Sequence, residues 1–183
     1  FDEFRGYLLK KGSEIGGLRV ARFDFPYMEK WAITGRRHPP DRMLMLQQAY
    51  REAVGALTIE HEHLVIGGKS MGGRIASRVV AQGTRVDGLA LLAYPLNPPR
   101  TPATPRNGHL PDISAPTLFC SGTRDNFVAP GSLAVVVDEM PNAVLHELDG
   151  ADHGFTVLKS SGRAREDVWQ EVADVMLHWV EAI

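Results

Sequence analysis

The sequence has only one cysteine, Cys120, so an internal disulfide is excluded. Cys120 lies in the apolar stretch PTLFCSG, where a small buried hydrophobic residue is expected, and this fits a reducing compartment. No stretch reaches the roughly 20 apolar residues that a membrane-spanning helix needs. The first residues, FDEFRGYLLKKG, also lack the basic start and long apolar stretch of a secretory signal. We therefore expect a cytoplasmic protein with no membrane partner.

A dominant charge and a metal-ligand cluster are also missing. Basic and acidic residues are interspersed and the formal net charge is −2, so no surface is predicted for nucleic acid. His61 and His63 share a face, but no cysteine or carboxylate cluster of metal spacing joins them. We expect no metal and no cofactor. A length of 183 residues fits one domain, which we assign to residues 1–183, and the pattern makes no prediction about oligomeric state.

Apolar strands and amphipathic helices alternate along the chain. Because most of the strands are apolar throughout, they predict a mostly parallel central sheet with helices on both faces, an α/β fold. In such folds ligands bind at the carboxyl ends of the strands. The predicted strands are 18–25, 63–68, 86–96, 115–122 and 143–148, and the predicted helices follow Asp41 or cover 71–82, 132–140 and 163–183.

Residues 67–74, GGKSMGGR, follow one of these strands and have three interpretations: a phosphate-binding loop, a catalytic serine on a sharp turn, or a turn for close packing. The phosphate loop needs a glycine five positions before Gly68, where His63 stands. The spacing Gly68-x-Ser70-x-Gly72 between a strand and a helix is typical of a nucleophilic serine, with glycines that prevent collisions between strand and helix. The N–H of Met71 would then face an oxyanion.

A nucleophilic serine also needs a base and a carboxylate that orients it. Asp125 follows the strand 115–122 and His153 follows the strand 143–148, each at the edge of the sheet where Ser70 is expected. These placements favour the catalytic turn over a turn that serves packing alone. Asp152 is the competing carboxylate, although adjacent side chains rarely face each other, and Asp149 is interpreted as a turn residue.

The segments GGKSMGG, SGTRD, GADHGF and RFDFPYM resemble the α/β-hydrolase superfamily, specifically its small cap-less members similar to dienelactone hydrolases. The resemblance implies the α/β-hydrolase fold, Ser70 as the nucleophile, His153 as the general base and then acid, and Asp125 as the residue that orients the imidazole. It implies no cofactor.

The beginning of the sequence departs from that family. Its members carry an earlier strand and a loop that supplies a second oxyanion N–H, whereas this chain opens in FDEFRGYLLKKGSEIGG. The family topology would place the absent strand between the strands 18–25 and 63–68, and a gap there would leave backbone groups unpaired. We therefore expect that the domain lacks its N-terminal strand or strands and that the native protein has upstream residues.

Three further residues are candidates for substrate binding. Arg36 and Arg37 lie in the loop TGRRHPPDR and could bind an acidic group, although a solvated basic loop is the simpler interpretation. Tyr27 could line the pocket or pack beneath this loop. Lys69, at the variable position of the serine turn, receives no role.

The expected function is that of a serine hydrolase, cleaving an ester or thioester of a small acyl substrate through an acyl-enzyme on Ser70. The Pro-rich loop 97–114 would serve as a minimal lid. A non-catalytic interaction module of the same fold and an acyltransferase with the same residues are the alternatives.

Overall fold

The central feature of the fold is a sheet of four parallel strands in the order β1-β2-β3-β4. The computed structural model describes residues 19–57, 62–98 and 104–183. All four strands match predicted strands, which confirms the parallel sheet. They are β1 (Val65–Lys69), β2 (Gly88–Leu92), β3 (Thr117–Gly122) and β4 (Ala143–Leu148).

Helices cover both faces of this sheet. Alternate strand residues point to opposite faces, so Phe119 of β3 enters one apolar core while Leu118 and Cys120 enter the other. Burial raises the pKa of the Cys120 thiol to about 12, as fits an inert core residue. In the described residues the α-helices are α1 (Pro26–Thr34), α2 (Met43–Gly55), α3 (Met71–Ala81), α4 (Ser132–Asp138) and α5 (Arg165–Ala182).

The two cores are built by different helices. Helices α2, α3 and α4 contribute to the first core, which contains Tyr50, Ile75 and Val136. Helix α5 contributes Val168 and Trp169 to the second core. In the part of the chain that the structure describes, no helix is long and apolar enough to cross a membrane.

The predicted strand 18–25 is wrong for residues 19–25. Residues 19–25 form no ladder, and Leu18 lies outside the described residues. A strand needs a hydrogen-bonded neighbour, and no described strand pairs with this segment. Its aromatic residues instead pack on α2, where the ring of Phe23 lies 5.1 Å from that of Tyr50.

Helix α1 follows this segment and was not predicted. It begins at Pro26, whose fixed φ suits the first helical position, and ends before Gly35, which adopts a φ of 66°. Pro26 and Gly35 are signals in the sequence that could have predicted this helix. Their separation fits a short helix in a segment that the sequence analysis did not predict as helical.

The outer edge of β1 has no strand neighbour among the described residues, and a side chain takes its place there. The Tyr50 hydroxyl donates to the Gly67 carbonyl at 2.6 Å and accepts from the Gly67 N–H at 3.1 Å. Burial raises the pKa of Tyr50 to about 12, so the hydroxyl stays protonated and can make both bonds. The polar backbone groups of Gly67 are thereby satisfied.

Candidate active site

Ser70 occupies a strained turn between β1 and α3. Its φ of 54° and ψ of −117° lie in a region that residues with a Cβ rarely adopt. Backbone bonds fix the turn on both sides, because the Ser70 N–H donates to the Leu92 carbonyl at 2.8 Å and the Ser70 carbonyl accepts from the Arg74 N–H at 3.1 Å. The turn therefore belongs both to the edge of the sheet and to the first turn of the helix.

Two glycines allow this strand and helix to approach. A Cβ on Gly68 would lie 2.7 Å from the carbonyl carbon of Gly72, and a Cβ on Gly73 would lie 2.6 Å from the Gly68 carbonyl oxygen. A Cβ on Gly72 would meet no described atom within 4 Å. The predicted steric role of Gly72 is therefore wrong, and Gly73 fulfils it instead, because the helix turns residue 73 rather than residue 72 toward the strand.

The structure brings Ser70, His153 and Asp125 into one hydrogen-bonded chain. His153 Nε2 lies 2.8 Å from Ser70 Oγ, and His153 Nδ1 lies 2.8 Å from Asp125 Oδ2. An ionised carboxylate only accepts hydrogen bonds, so Nδ1 carries the imidazole proton and Nε2 is left to accept from the serine hydroxyl. This tautomer suits removal of the Ser70 proton.

The Asp125 carboxylate is held on both of its oxygens. Its side chain is fully buried, and Oδ1 accepts from the Phe127 N–H at 2.8 Å while Oδ2 faces His153. The centres of the Phe127 ring and the His153 imidazole lie 4.4 Å apart, so the two rings pack against each other. Close approach of the loops that follow β3 and β4 depends on Gly122, where a Cβ would lie 2.2 Å from the Ala151 carbonyl oxygen.

The competing carboxylates have other partners. Asp152 Oδ1 accepts from the N–H groups of Gly154 and Thr156 at 2.8 and 2.9 Å, so it shapes the loop that carries His153. Asp149 lies in the turn after β4, as predicted. Asp125 is therefore the carboxylate that meets the imidazole.

Met71 is the first residue of α3. The first N–H groups of a helix have no acceptor within the helix, and they form the positive end of its dipole. The Met71 N–H lies at the Ser70 turn and is therefore a candidate donor to a negatively charged oxygen.

Lys69 contacts the site, and sequence reasoning missed it. Its Nζ donates to the His153 carbonyl at 2.6 Å and lies 5.2 Å from the centre of the Phe155 ring. Burial lowers the pKa of Lys69, while the charges of Asp125 and Asp152 raise it in part. The only signal in the sequence was a lysine within a glycine-rich strand end, and its partner is 84 positions away.

Arg36, Arg37 and Tyr27 are not brought to this chain of hydrogen bonds. The Arg37 guanidinium lies 5.2 Å from the centre of the Trp31 ring, Arg36 is exposed, and the Tyr27 ring stacks on Phe25. No recorded contact among the described residues joins them to the three residues of the site. Their role in substrate binding stays a prediction.

Nothing in the described ranges forms a group of three or more histidine, cysteine or acidic residues that could hold a metal ion. His63 is exposed, and His61 lies outside those ranges.

Comparison with known proteins identifies the family. A family model described as an alpha/beta hydrolase domain matches residues 6–181. An alpha-beta serine hydrolase homologue from Coxiella burnetii superposes with a TM-score of 0.68 at 17% identity, covering 93% of this chain and 74% of that one. Est1E from Butyrivibrio proteoclasticus, solved with ferulic acid, gives 0.57 at 14% identity, covering 77% and 70%. A bromoperoxidase from Bacillus anthracis gives 0.58 at 13% identity, covering 79% and 76%. At these identities the structures show a shared fold.

The neighbouring glycines of α3 provide a matched test of the turn. Gly73→Ala is expected to lower the free energy of unfolding by about 1–3 kcal/mol, because its Cβ would collide with backbone. Gly72→Ala is expected to raise it by about 0.5–1 kcal/mol, since alanine reduces the entropy of the unfolded chain without meeting any described atom. Denaturant unfolding of both variants measures the difference. Equal stability of the two would contradict this account of the turn.

Proposed function

Because the chain belongs to the alpha/beta hydrolase domain family, we propose that it is a serine hydrolase that cleaves an ester or thioester of a small acyl substrate. The observation that carries the proposal is the chain from Ser70 Oγ through His153 to Asp125, with both hydrogen bonds at 2.8 Å. A scaffold that served interactions alone would have no need to hold a serine at a φ of 54° against a histidine. This favours the hydrolase over the non-catalytic alternative.

The proposed reaction starts with attack of Ser70 Oγ on the substrate carbonyl carbon while His153 Nε2 takes the hydroxyl proton. Asp125, through its bond to Nδ1, stabilises the imidazolium that forms. The carbonyl oxygen becomes an oxyanion, and the Met71 N–H donates to it. His153 then gives its proton to the leaving group, and the acyl-enzyme remains on Ser70. The same imidazole takes a proton from water as its oxygen attacks the acyl carbon. It returns this proton to Ser70 Oγ when the bond from Oγ to the acyl carbon breaks and the acid leaves.

Lys69 has a positioning role in this proposal. Its ammonium holds the His153 carbonyl at 2.6 Å and is itself adjacent in sequence to the nucleophile. The contact therefore links the loop that carries the base to the strand that carries the serine. A short link of this kind supports the distance between Nε2 and Oγ that proton transfer needs.

The proposed substrate class is argued from the loop after β2 and from a protein of the same fold. The described residues of the loop after β2, 93–98 and 104–116, form no helix, which supports small or exposed esters and thioesters, as in cap-less dienelactone hydrolase-like proteins. Est1E, bound to ferulic acid, is a protein of this fold that takes a small carboxylic acid. Arg36, Arg37 and Tyr27 are retained as candidates for contacts with an acidic substrate. An acyltransferase would share the first half of the reaction and differ in the acceptor.

The proposal also covers the domain organisation of the chain and its cellular compartment. We infer that residues 1–183 form one domain. A single cysteine that is buried supports a cytoplasmic location.

Turnover of p-nitrophenyl esters of graded acyl length tests the chemistry. Ser70→Ala and His153→Ala are each expected to reduce kcat about a millionfold, as is usual when one member of such a triad is removed. Asp125→Asn is expected to reduce it by about 10⁴-fold, because the amide favours the wrong imidazole tautomer.

Asp152→Asn is the matched control. Asp152 directly precedes His153 in the sequence, and its carboxylate accepts hydrogen bonds from backbone N–H groups of the same loop. The substitution should leave kcat within about tenfold of the wild type. A folded Asp125→Asn protein with wild-type activity would show that the acid has been assigned wrongly.

Lys69→Met removes the ammonium and keeps most of the side-chain length. We expect kcat to fall roughly tenfold to a hundredfold with KM little changed, because the imidazole is displaced while the substrate contacts remain. Lys69→Arg should restore part of the rate, and exposed Lys159→Met serves as the control. A wild-type kcat in Lys69→Met would exclude a positioning role.

A further inference from the structure

An open cleft of about 520 Å³ lies between α3 and the loop that follows β2. Arg78 of the helix borders it on one side, and Pro98, Thr104, Arg106 and His109 of the loop border it on the other. None of these residues belongs to the Ser70, His153 and Asp125 chain. The cleft is therefore distinct from the site described above.

Two arginines, Arg78 and Arg106, line this cleft, and the charge of Arg74 is close enough to interact with both. Burial lowers the pKa of Arg74, and the positive charges of Arg106 and Arg78 lower it further. Charges that perturb one another in this way lie close together. Arg74 and Arg78 follow each other at i, i+4 on α3, so they share one face of the helix, and Arg106 approaches that face from the loop.

Within the described part of the chain, the guanidinium groups have no acidic partner. The Nε atoms of Arg74 and Arg78 are buried and have no hydrogen-bond partner among the described residues. Among the described residues, none of the three arginines forms a salt bridge. Asp112 raises the pKa of His109, but no described carboxylate acts on Arg74.

His109 does not supply the missing negative charge, and it adds no positive one. Burial lowers its pKa to about 4, and the charges of Arg78 and Arg74 contribute. The imidazole is therefore neutral at pH 7. Its Nε2 lies 2.8 Å from Ser77 Oγ on α3, the helix that carries Arg74 and Arg78. It anchors the loop over the arginines.

We propose that this cleft binds the anionic group of a small molecule, a phosphate or a carboxylate, between Arg78 and Arg106 with Arg74 behind them. The positive guanidinium groups repel one another, and an oxyanion between Arg78 and Arg106 would offset that repulsion. The planar fork of arginine suits two oxygens of one anion. The proposal concerns binding and does not depend on the hydrolase activity.

The position of the cleft relates it to the candidate active site. Arg78 lies eight residues after Ser70 along α3, a distance of about 12 Å at 1.5 Å per residue. Asn97, at the start of the loop, donates its N–H to the carbonyl of Phe127 at 2.8 Å, and the Phe127 ring packs against His153. The cleft and the candidate active site therefore lie along the same helix, about two turns apart.

Binding can be measured without turnover. The melting temperature of the full chain is followed with added inorganic phosphate and, separately, with succinate, using chloride at the same ionic strength as the reference. We expect one or both anions to raise the melting temperature saturably. The anion with the lower Kd identifies the preferred group, phosphate or carboxylate.

Three variants assign the effect to the cleft. Arg78→Gln and Arg106→Gln should each weaken the Kd roughly tenfold or more, because one charged fork is lost. Without added anion, both should melt at or above the wild-type temperature, since a repelling charge has been removed. Arg85→Gln, at an exposed arginine outside the cleft, should bind as the wild type does. Ser70→Ala should also bind normally, which separates this proposal from the proposed reaction.

Two results would overturn the proposal. One is a wild-type protein that responds to phosphate and succinate no more than to chloride. The other is an Arg106→Gln protein that responds as the wild type does; this residue lies on a loop, so the substitution tests the cleft without altering a helix.

Discussion

The close approach of β1 and α3 at Ser70 is the constraint on which the site depends. A residue with a Cβ is held at a φ of 54°, a conformation that costs of order 1–3 kcal/mol. The hydrogen-bonded ladder between β1 and β2 and the packing of α3 on the sheet offset this cost. Gly68 and Gly73 make the approach possible, because a side chain on either would collide with backbone. The result is a half-buried serine at the end of a strand, with its hydroxyl facing His153.

The parallel sheet then determines what can reach that hydroxyl. The carboxyl ends of β1, β3 and β4 lie at the same edge, so the loops that carry Ser70, Asp125 and His153 meet there. Local contacts set the final geometry: the Phe127 N–H fixes the Asp125 carboxylate, Asp152 shapes the loop around His153, and Lys69 ties that loop back to β1. Helix α3, which begins directly after Ser70, also carries Arg74 and Arg78. Two binding features thus share one rigid element.

The sequence predicts well those features that local patterns determine. Short runs rich in apolar residues predicted all four strands. The spacing around Ser70 and the placement of Asp125 and His153 predicted the residues that meet. Features that depend on neighbours in space were less accessible. The segment 19–25 has the residues of a strand but no described partner to pair with, and the roles of Gly72 and Gly73 depend on which way the helix turns. Lys69 and the cluster of Arg74, Arg78 and Arg106 become visible only when distant segments are brought together.

Covalent labelling tests whether Ser70 is a nucleophile that His153 activates. The folded protein is treated with a fluorophosphonate probe, digested, and the modified peptide is located by mass spectrometry. We expect stoichiometric modification of Ser70 and loss of that modification in His153→Ala, where the serine is present but its base is absent. A folded wild-type protein that remains unmodified at Ser70, or a His153→Ala variant that reacts at the wild-type rate, would contradict this expectation.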